Sequence, residues 1–388
     1  MKAFTYKNPG ELRFGWGRRK EVGEIVLTYG KRCLLVSGKE ASMQKFFKEV
    51  EESCIDQGVE IHHFNGVVPN PTTDSVNAGV DIARAIQAEV ILAVGGGSSI
   101  DTAKAIAVGA THSGQPWDYR LYAKPISDKV LPIIALATTS GTGAEVTPVS
   151  VITNPSEQLK YALVHKLLVP RVAIIDPETT VTVPPHVTAS TGFDAFCHSF
   201  ESTIHSESNS YADMLAYESI RLIAAYLERA IKDGSDREAR EAMAWASTLG
   251  GLAIANVGVT LPHGIGMAIG GHAPHVMHGE ALAITYPEII AWTWEAAIGP
   301  FARTARILNP ALEKLSDEDA AQALSSEIER FLRAIGMWMG FADKNVSKAI
   351  LPAIANDTMK LPDYKAHPKV ADRDFYLELL HRCYPSRR

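Results

Sequence analysis

The run Val90-Ile91-Leu92-Ala93-Val94 passes without a break into Gly95-Gly96-Gly97-Ser98, and a helical pattern opens at about Ser99 and continues to Val108. A strand apolar on both faces belongs to a sheet covered on both sides, which is the habit of parallel sheets. Glycines at the strand end let backbone approach an anion closely. The following helix N-terminus offers unpaired N–H groups and the positive end of its dipole. Ser98 and Ser99 add hydroxyl donors, and a pyrophosphate fits this arrangement. The loop is neither GxGxxG nor a Walker sequence. Glycine runs also mark plain turns, so it is the position after a buried strand that carries the reading.

One unit later the pattern returns. The apolar strand Val130 to Thr138 leads into Thr138-Thr139-Ser140-Gly141-Thr142-Gly143-Ala144-Glu145. Two such loops on adjacent strand ends predict a nucleotide lying across the C-terminal edge of the sheet. Upstream, residues 1 to 20 read as a short strand and a turn at Phe14-Gly15-Trp16-Gly17. The strands Cys33 to Ser37 and Val59 to Phe64 are separated by a helical pattern with Met43, Phe46, Phe47, Val50 and Cys54 on one face, and Thr73 to Ile86 is a further helix. Strands alternating with helices predict a parallel sheet with helices on both faces. Asn154-Pro155, between Ser150–Thr153 and Tyr161–Val164, signals a hairpin, and Val172 to Ile175 is one more strand. After Pro184-Pro185 the character changes to alanine-rich helix. The expected organisation is an α/β domain over 1–185 and an all-helical domain over 186–388, and 388 residues suit two cores.

The formal net charge is −6, with no block of lysine or arginine, which argues against nucleic acid or an anionic membrane as partner. No apolar run reaches transmembrane length, and the first residues lack the apolar core of a signal peptide. Cys33, Cys54, Cys197 and Cys383 are scattered, with no CxxC pair, so a reducing cytoplasm is the expected location.

Asp194 and His198 are four apart in Gly192-Phe193-Asp194-Ala195-Phe196-Cys197-His198. On a helix they share one face, and their neighbours are apolar. A buried carboxylate is costly unless paired or bound to a cation. His263 and His278 lie in a glycine-rich, almost charge-free segment. One carboxylate and three imidazoles suit a divalent ion such as Fe²⁺ or Zn²⁺. The same residues also admit a plain structural role, since Asp and His four apart arise by chance. His205, His272 and His275 are nearby imidazoles with ordinary roles open to them. Cys197 is either a soft ligand or, as is commoner, a small buried side chain.

Taken together, Gly95 to Lys104, Thr138 to Thr147, Gly192 to His198 and the block from His263 to Pro287 resemble the iron-containing (group III) alcohol dehydrogenase family over nearly the whole chain. The resemblance implies an N-terminal Rossmann-like parallel-sheet domain, a C-terminal helical bundle and an active site in the cleft between them. It implies Asp194, His198, His263 and His278 as ligands of Fe²⁺, with Zn²⁺ as the alternative. It implies cofactor contacts at Gly96, Gly97, Ser98, Asp101, Thr138, Thr139, Thr142 and Lys160. The activity implied interconverts a primary alcohol or small diol and its aldehyde by hydride transfer to or from NAD(P), with the substrate oxygen on the metal. Homodimers or higher homo-oligomers are expected. Trp245, Leu252 and Ile254 are candidates for the substrate wall or for core. Two departures stand out. Met267 occupies a place where the family carries a further histidine, and the interval from His263 to His278 is one residue longer than the family's. A lyase resembling dehydroquinate synthase, using NAD and Zn²⁺, is the alternative on this scaffold. Its acidic substrate needs basic residues that the segment from His263 to His278 lacks. A binding or structural protein without catalysis would not need the ligand quartet and both loops.

In such sheets the residue after the strand leading to the adenosine ribose chooses between NAD and NADP, because a carboxylate there accepts from the 2′-hydroxyl and repels a 2′-phosphate. Here Cys33 to Val36 ends in Ser37-Gly38-Lys39-Glu40. Ser37, Gly38 and Lys39 are therefore expected at the ribose, and a small residue beside a lysine leans towards NADP. If Glu40 folds back onto this place, the expectation reverses to NAD.

Overall fold

The computed structural model describes residues 2–6, 8 and 10–387. The chain divides into two compact units, one formed by Lys7–Val183 and the other by Pro184–Arg388 together with Met1–Tyr6.

The first unit is built on a six-stranded parallel sheet of order β1-β8-β5-β4-β2-β3. Its strands are β1 (Glu11–Phe14), β2 (Arg32–Val36), β3 (Glu60–Phe64), β4 (Val90–Gly95), β5 (Ile133–Ala137) and β8 (Val172–Ile175). The central strands β4 and β5 are buried along their full length, as the unbroken apolar runs require. Between the strands run α1 (Val22–Leu27), α2 (Gln44–Asp56), α3 (Thr73–Ala85) and α4 (Gly97–Gly109). Phe47, Val50 and Cys54 of α2 pack with Val22, Ile25 and Val26 of α1 against Cys33, Leu35, Leu92 and Ile134 on one face of the sheet. The predicted hairpin is present as the antiparallel pair β6 (Val149–Asn154) and β7 (Leu159–Val164). Strand β2 lies between β3 and β4, so the chain reverses its direction of winding between β2 and β4. Ligands of open α/β sheets bind outside the carboxyl ends of the strands at such a switch. Here those ends are Ser37–Glu40 and Gly95–Ser98.

The second unit is helical: α5 (Pro185–Ile204), α6 (Ser210–Lys232), α7 (Arg237–Val257), α8 (Leu261–His272), α9 (His278–Thr293), α10 (Ile298–Leu308), α11 (Asp317–Ala334), α12 (Leu351–Thr358) and α13 (Arg373–Arg382). Pro185 at the first position of α5 costs no hydrogen bond, because that N–H has no intrahelical partner. Asn209 and Asp236 cap α6 and α7 through their side chains. Helix α5 is the axis of this unit, buried from Thr188 to Ile204 except at Thr191. Phe193, Phe196 and Phe200 form one stripe, which packs against Tyr286, Phe301 and Phe331. Burying each ring contributes roughly 1.5–3 kcal/mol. Asp194, His198 and Glu201 form a second stripe at i, i+4 and i+7. No single helix among the described residues is long and apolar enough to cross a membrane.

Candidate metal centre and nucleotide loops

Three helices bring four side chains to one point. Asp194 and His198 come from α5, His263 from the first turn of α8 and His278 from the first residue of α9. Glycine sets the approach of α9, since a Cβ on Gly279 would meet the Ser190 carbonyl of α5. The neighbouring His278 is thereby carried to within one helical turn of Asp194. Between His263 and His278, α8 ends at His272 and α9 begins at His278.

Oδ1 of Asp194 lies 3.7 Å from His198 Nε2, 3.5 Å from His263 Nε2 and 3.8 Å from His278 Nε2. These separations are too long for good hydrogen bonds. Atoms that each sit about 2.1 Å from one ion in a tetrahedron are about 3.4 Å apart. Asp194 Oδ1 and His263 Nε2 are buried and make no hydrogen bond. Asp194, His263 and His278 form a group able to hold a metal ion. Burial opposes the charge on Asp194, but the three imidazoles outweigh it and hold the carboxyl well below the usual carboxylate range. Burial likewise opposes a charged His263, yet Glu201 and Asp194 push it up to about 10. The pocket is arranged around positive charge, and the donor set fits a divalent cation.

Glu201, a residue that no sequence motif singles out, shares the stripe of Asp194 and His198. Its Oε1 accepts from His263 Nδ1 at 2.7 Å, and its Oε2 accepts from the Thr260 N–H at 2.8 Å and hydroxyl at 3.1 Å. A carboxylate on Nδ1 fixes the tautomer that presents the Nε2 lone pair to a metal. The other histidines are engaged elsewhere. His272 Nε2 is 2.7 Å from Asp357 Oδ2, His275 Nε2 is 2.9 Å from the Lys344 carbonyl, and His205 Nδ1 accepts from the Glu207 N–H. Cys197 lies in α5 beside Tyr286, and burial pushes its thiol well up. Met267 is buried on α8, so an apolar side chain stands one turn beyond His263. Trp245, Leu252 and Ile254 lie along α7, with Leu252 buried and the other two half-buried.

On the sheet unit the two glycine-rich loops face each other. A Cβ on Gly96 would stand 2.8 Å from Thr139 Oγ1, and one on Gly97 would stand 2.6 Å from Thr142 Cγ2. Thr138 N–H donates to Gly95 O at 3.0 Å. Helix α4 begins at Gly97, earlier than its apolar pattern suggests. Gly97 and Ser98 therefore supply N–H groups that no helical carbonyl accepts. Asp101 ties α4 to the hairpin, its Oδ2 accepting from the Val151 N–H at 3.1 Å; burial raises its carboxyl to about 6. Lys160 is buried rather than solvated, and its Nζ donates to Asn70 Oδ1 at 2.9 Å.

At the end of β2 the arrangement differs from the expectation. Ser37 is fully buried, and its hydroxyl lies 2.7 Å from His63 Nε2, so that side chain is committed to the protein interior. Lys39 is exposed. The carboxylate of Glu40 folds back over Gly38, occupying the space that a Cβ there would need.

Lys104 is a second charged residue whose role depends on distant partners. Its ammonium is fully buried and donates to the carbonyls of Ala144 (2.6 Å), Thr147 (2.8 Å) and Val149 (2.7 Å), with Thr147 Oγ1 at 3.2 Å. It fastens the helix after the first loop to the segment after the second. Burial lowers its pKa to about 8 despite Asp101 and Glu145 nearby. Replacing it with methionine strands three carbonyls, each costing about 1–3 kcal/mol. Lys104→Met is expected to destabilise the fold by about 3 kcal/mol or more in urea unfolding. A loss below about 1 kcal/mol would refute this role.

Comparison with known proteins agrees with the geometry. The family model described as iron-containing alcohol dehydrogenase matches residues 9–177, and that of the Fe-containing alcohol dehydrogenase family C-terminal region matches 188–384. The chain is 33% identical to a choline dehydrogenase of Bacillus subtilis, covering 99% of this chain and 96% of that protein. It is 32% identical to an NAD-dependent methanol dehydrogenase of Bacillus methanolicus, covering 92% and 93%. Among solved structures, an alcohol dehydrogenase from a halo-thermophilic archaeon of a Red Sea brine pool superposes with a TM-score of 0.94 at 32% identity, covering 99% of this chain and all of that one. With both halves matched by the family's two models and relatives aligned along nearly its full length, this chain belongs to the iron-containing alcohol dehydrogenase family.

Proposed function

We propose that this alcohol oxidoreductase is a metal-dependent, NAD-linked enzyme that interconverts a primary alcohol and its aldehyde. The observation that carries this reading is the set of three imidazole nitrogens 3.5–3.8 Å from one buried carboxylate oxygen that lacks a hydrogen bond. Asp194, His198, His263 and His278 would hold the cation, Fe²⁺ or Zn²⁺. When bound, the cation supplies Lewis acidity towards a substrate oxygen and the nicotinamide supplies two-electron redox chemistry. The chain's own residues do the rest. Glu201 keeps the His263 proton on Nδ1. Gly96, Gly97, Ser98, Thr138, Thr139 and Thr142 form the anion-accepting rim for a pyrophosphate. Asp101 and Lys160 flank the hairpin beside it. Glu40, rather than Lys39, is the side chain at Gly38, which favours a free ribose 2′-hydroxyl and therefore NAD over the NADP expected from sequence. The name of the Bacillus methanolicus relative points the same way. Four buried free thiols suit a reducing, cytoplasmic location.

The test is turnover of NADH with a short aliphatic aldehyde by the purified chain, with metal analysis of the same sample. Turnover should disappear with a chelator and return with Fe²⁺ or Zn²⁺. Undiminished turnover in chelator-treated, metal-free protein would overturn the reading.

A further inference from the structure

Behind the candidate metal site the hydrogen bonds continue past Glu201. Thr260 is the residue at the N-terminus of α8, a position where a threonine hydroxyl usually caps the first turn. Here it makes no such cap. Its Oγ1 lies instead between Glu201 Oε2 at 3.1 Å and His367 Nδ1 at 3.2 Å. His367 is buried, stacks on Trp292 with ring centroids 6.1 Å apart, and places Nε2 2.9 Å from Thr293 Oγ1.

The proton count along this chain has one consistent solution. The Glu201 carboxylate only accepts, so Thr260 gives it its single hydroxyl proton. The Thr260 oxygen must then accept from His367, which requires a proton on Nδ1. Burial pushes His367 down to about 3, so the ring is neutral and Nε2 carries a lone pair. Thr293 then turns its hydroxyl to Nε2 rather than to the Ile289 carbonyl 2.7 Å away. Every donor points towards Glu201, and Glu201 accepts from His263.

We propose that His367 is a positioning residue for the cation site, acting through Thr260 and Glu201 to hold His263 in the tautomer that presents Nε2. This rests on the metal reading above, and it adds a residue about a hundred positions along the chain whose own side chain contacts none of the four candidate ligands among the contacts described. Partners of metal-ligating histidines typically matter by about ten- to a hundredfold in metal affinity. With one further link between, about tenfold is expected.

The test is titration of the metal-free 388-residue chain with Zn²⁺ alone, in competition with a chromophoric chelator. His367→Leu should weaken Zn²⁺ binding about tenfold, and so should the isosteric Thr260→Val. In the Thr260→Val background, His367→Leu should add little, because both act along one path. His367→Asn, whose amide can donate from the Nδ1 position, should keep the affinity within about threefold of wild type. Wild-type affinity in both His367→Leu and Thr260→Val would overturn the proposal, as would a double variant about a hundredfold weaker, which would mean independent effects. Should His367→Leu fail to fold by circular dichroism, Thr260→Val and His367→Asn decide. A weakened Thr260→Val with an intact His367→Asn supports the chain of bonds, and any other pairing refutes it. Absence of Zn²⁺ binding by the wild type would sink the metal reading itself, which is a separate outcome.

Discussion

Asp194→Ala is expected to abolish tight binding of the divalent cation and to lower kcat/KM for aldehyde reduction by about a thousandfold or more, while the dissociation constant for NADH changes by no more than about twofold. The size follows from the role. Lewis-acid stabilisation is worth several kcal/mol, and each 1.36 kcal/mol is a factor of about ten in rate. The split between the two readouts follows from the chain's construction, since Asp194 belongs to the helical unit and the two glycine-rich loops proposed for the nucleotide belong to the sheet unit. Asp194 is 2% exposed and is the common neighbour of all three imidazoles. A charge so placed is tolerable because positive charge answers it. Stability offers a second measurement. A ligand that binds only the folded state at a hundred times its Kd adds about 2.7 kcal/mol. Wild-type protein should therefore gain in Tm when Fe²⁺ or Zn²⁺ is added, and Asp194→Ala should not. If Asp194→Ala retains more than a tenth of wild-type activity with its cation in place, the ligand assignment fails.

Much of this architecture is legible in the residues because its causes are local. Strands such as β4 and β5 are uniformly apolar since both faces are covered, and the glycines after β4 stand where the opposing threonines leave no room for a Cβ. The pairing of Asp194 with His198 follows from helix geometry alone. What escaped depends on contacts between distant segments. Helix α1 is short and packs onto α2, with too few residues to establish a period. Glu201 and Lys104 look like ordinary charged residues of helices until their partners, Thr260 and the carbonyls after Thr142, are brought to them. Both nevertheless carry a local signal. Glu201 continues the Asp194–His198 stripe by one more turn, and Lys104 sits among Ala103, Ala105, Ile106 and Ala107, where a lysine has no solvated face. The burial of Ser37 against His63 depends on strand β3 and cannot be seen in the local sequence. His367, in a loop more than a hundred residues from His263, has no local signal at all.

The second large effect concerns the adenosine end of the cofactor. NADH is expected to be preferred over NADPH in kcat/KM by about ten- to a hundredfold, against the lean that Gly38-Lys39 suggests. The group expected to discriminate is the carboxylate of Glu40, which lies over Gly38 at the carboxyl end of β2, next to the glycine loop that follows β4. Such a carboxylate can accept from a ribose 2′-hydroxyl and repels a 2′-phosphate. For unit charges about 5 Å apart the repulsion is about 1 kcal/mol in full water and about 3 kcal/mol at an effective dielectric constant near 20, which brackets the range given. Lys39 is exposed and works in the opposite sense, but its charge is well hydrated and screened. Glu40→Ser removes the repulsion and leaves the lysine, so NADPH should rise by about tenfold or more while NADH falls. Gly38 provides an independent check. Its backbone tolerates a side chain, since its φ is not positive. A methyl group there would take the space of the Glu40 carboxylate, so Gly38→Ala should shift the preference in the same direction as Glu40→Ser. Steady-state kinetics with both reduced cofactors on the three proteins measure all of this. A wild-type preference for NADPH, or a cofactor ratio unmoved by Glu40→Ser, would show that the carboxylate does not face the ribose.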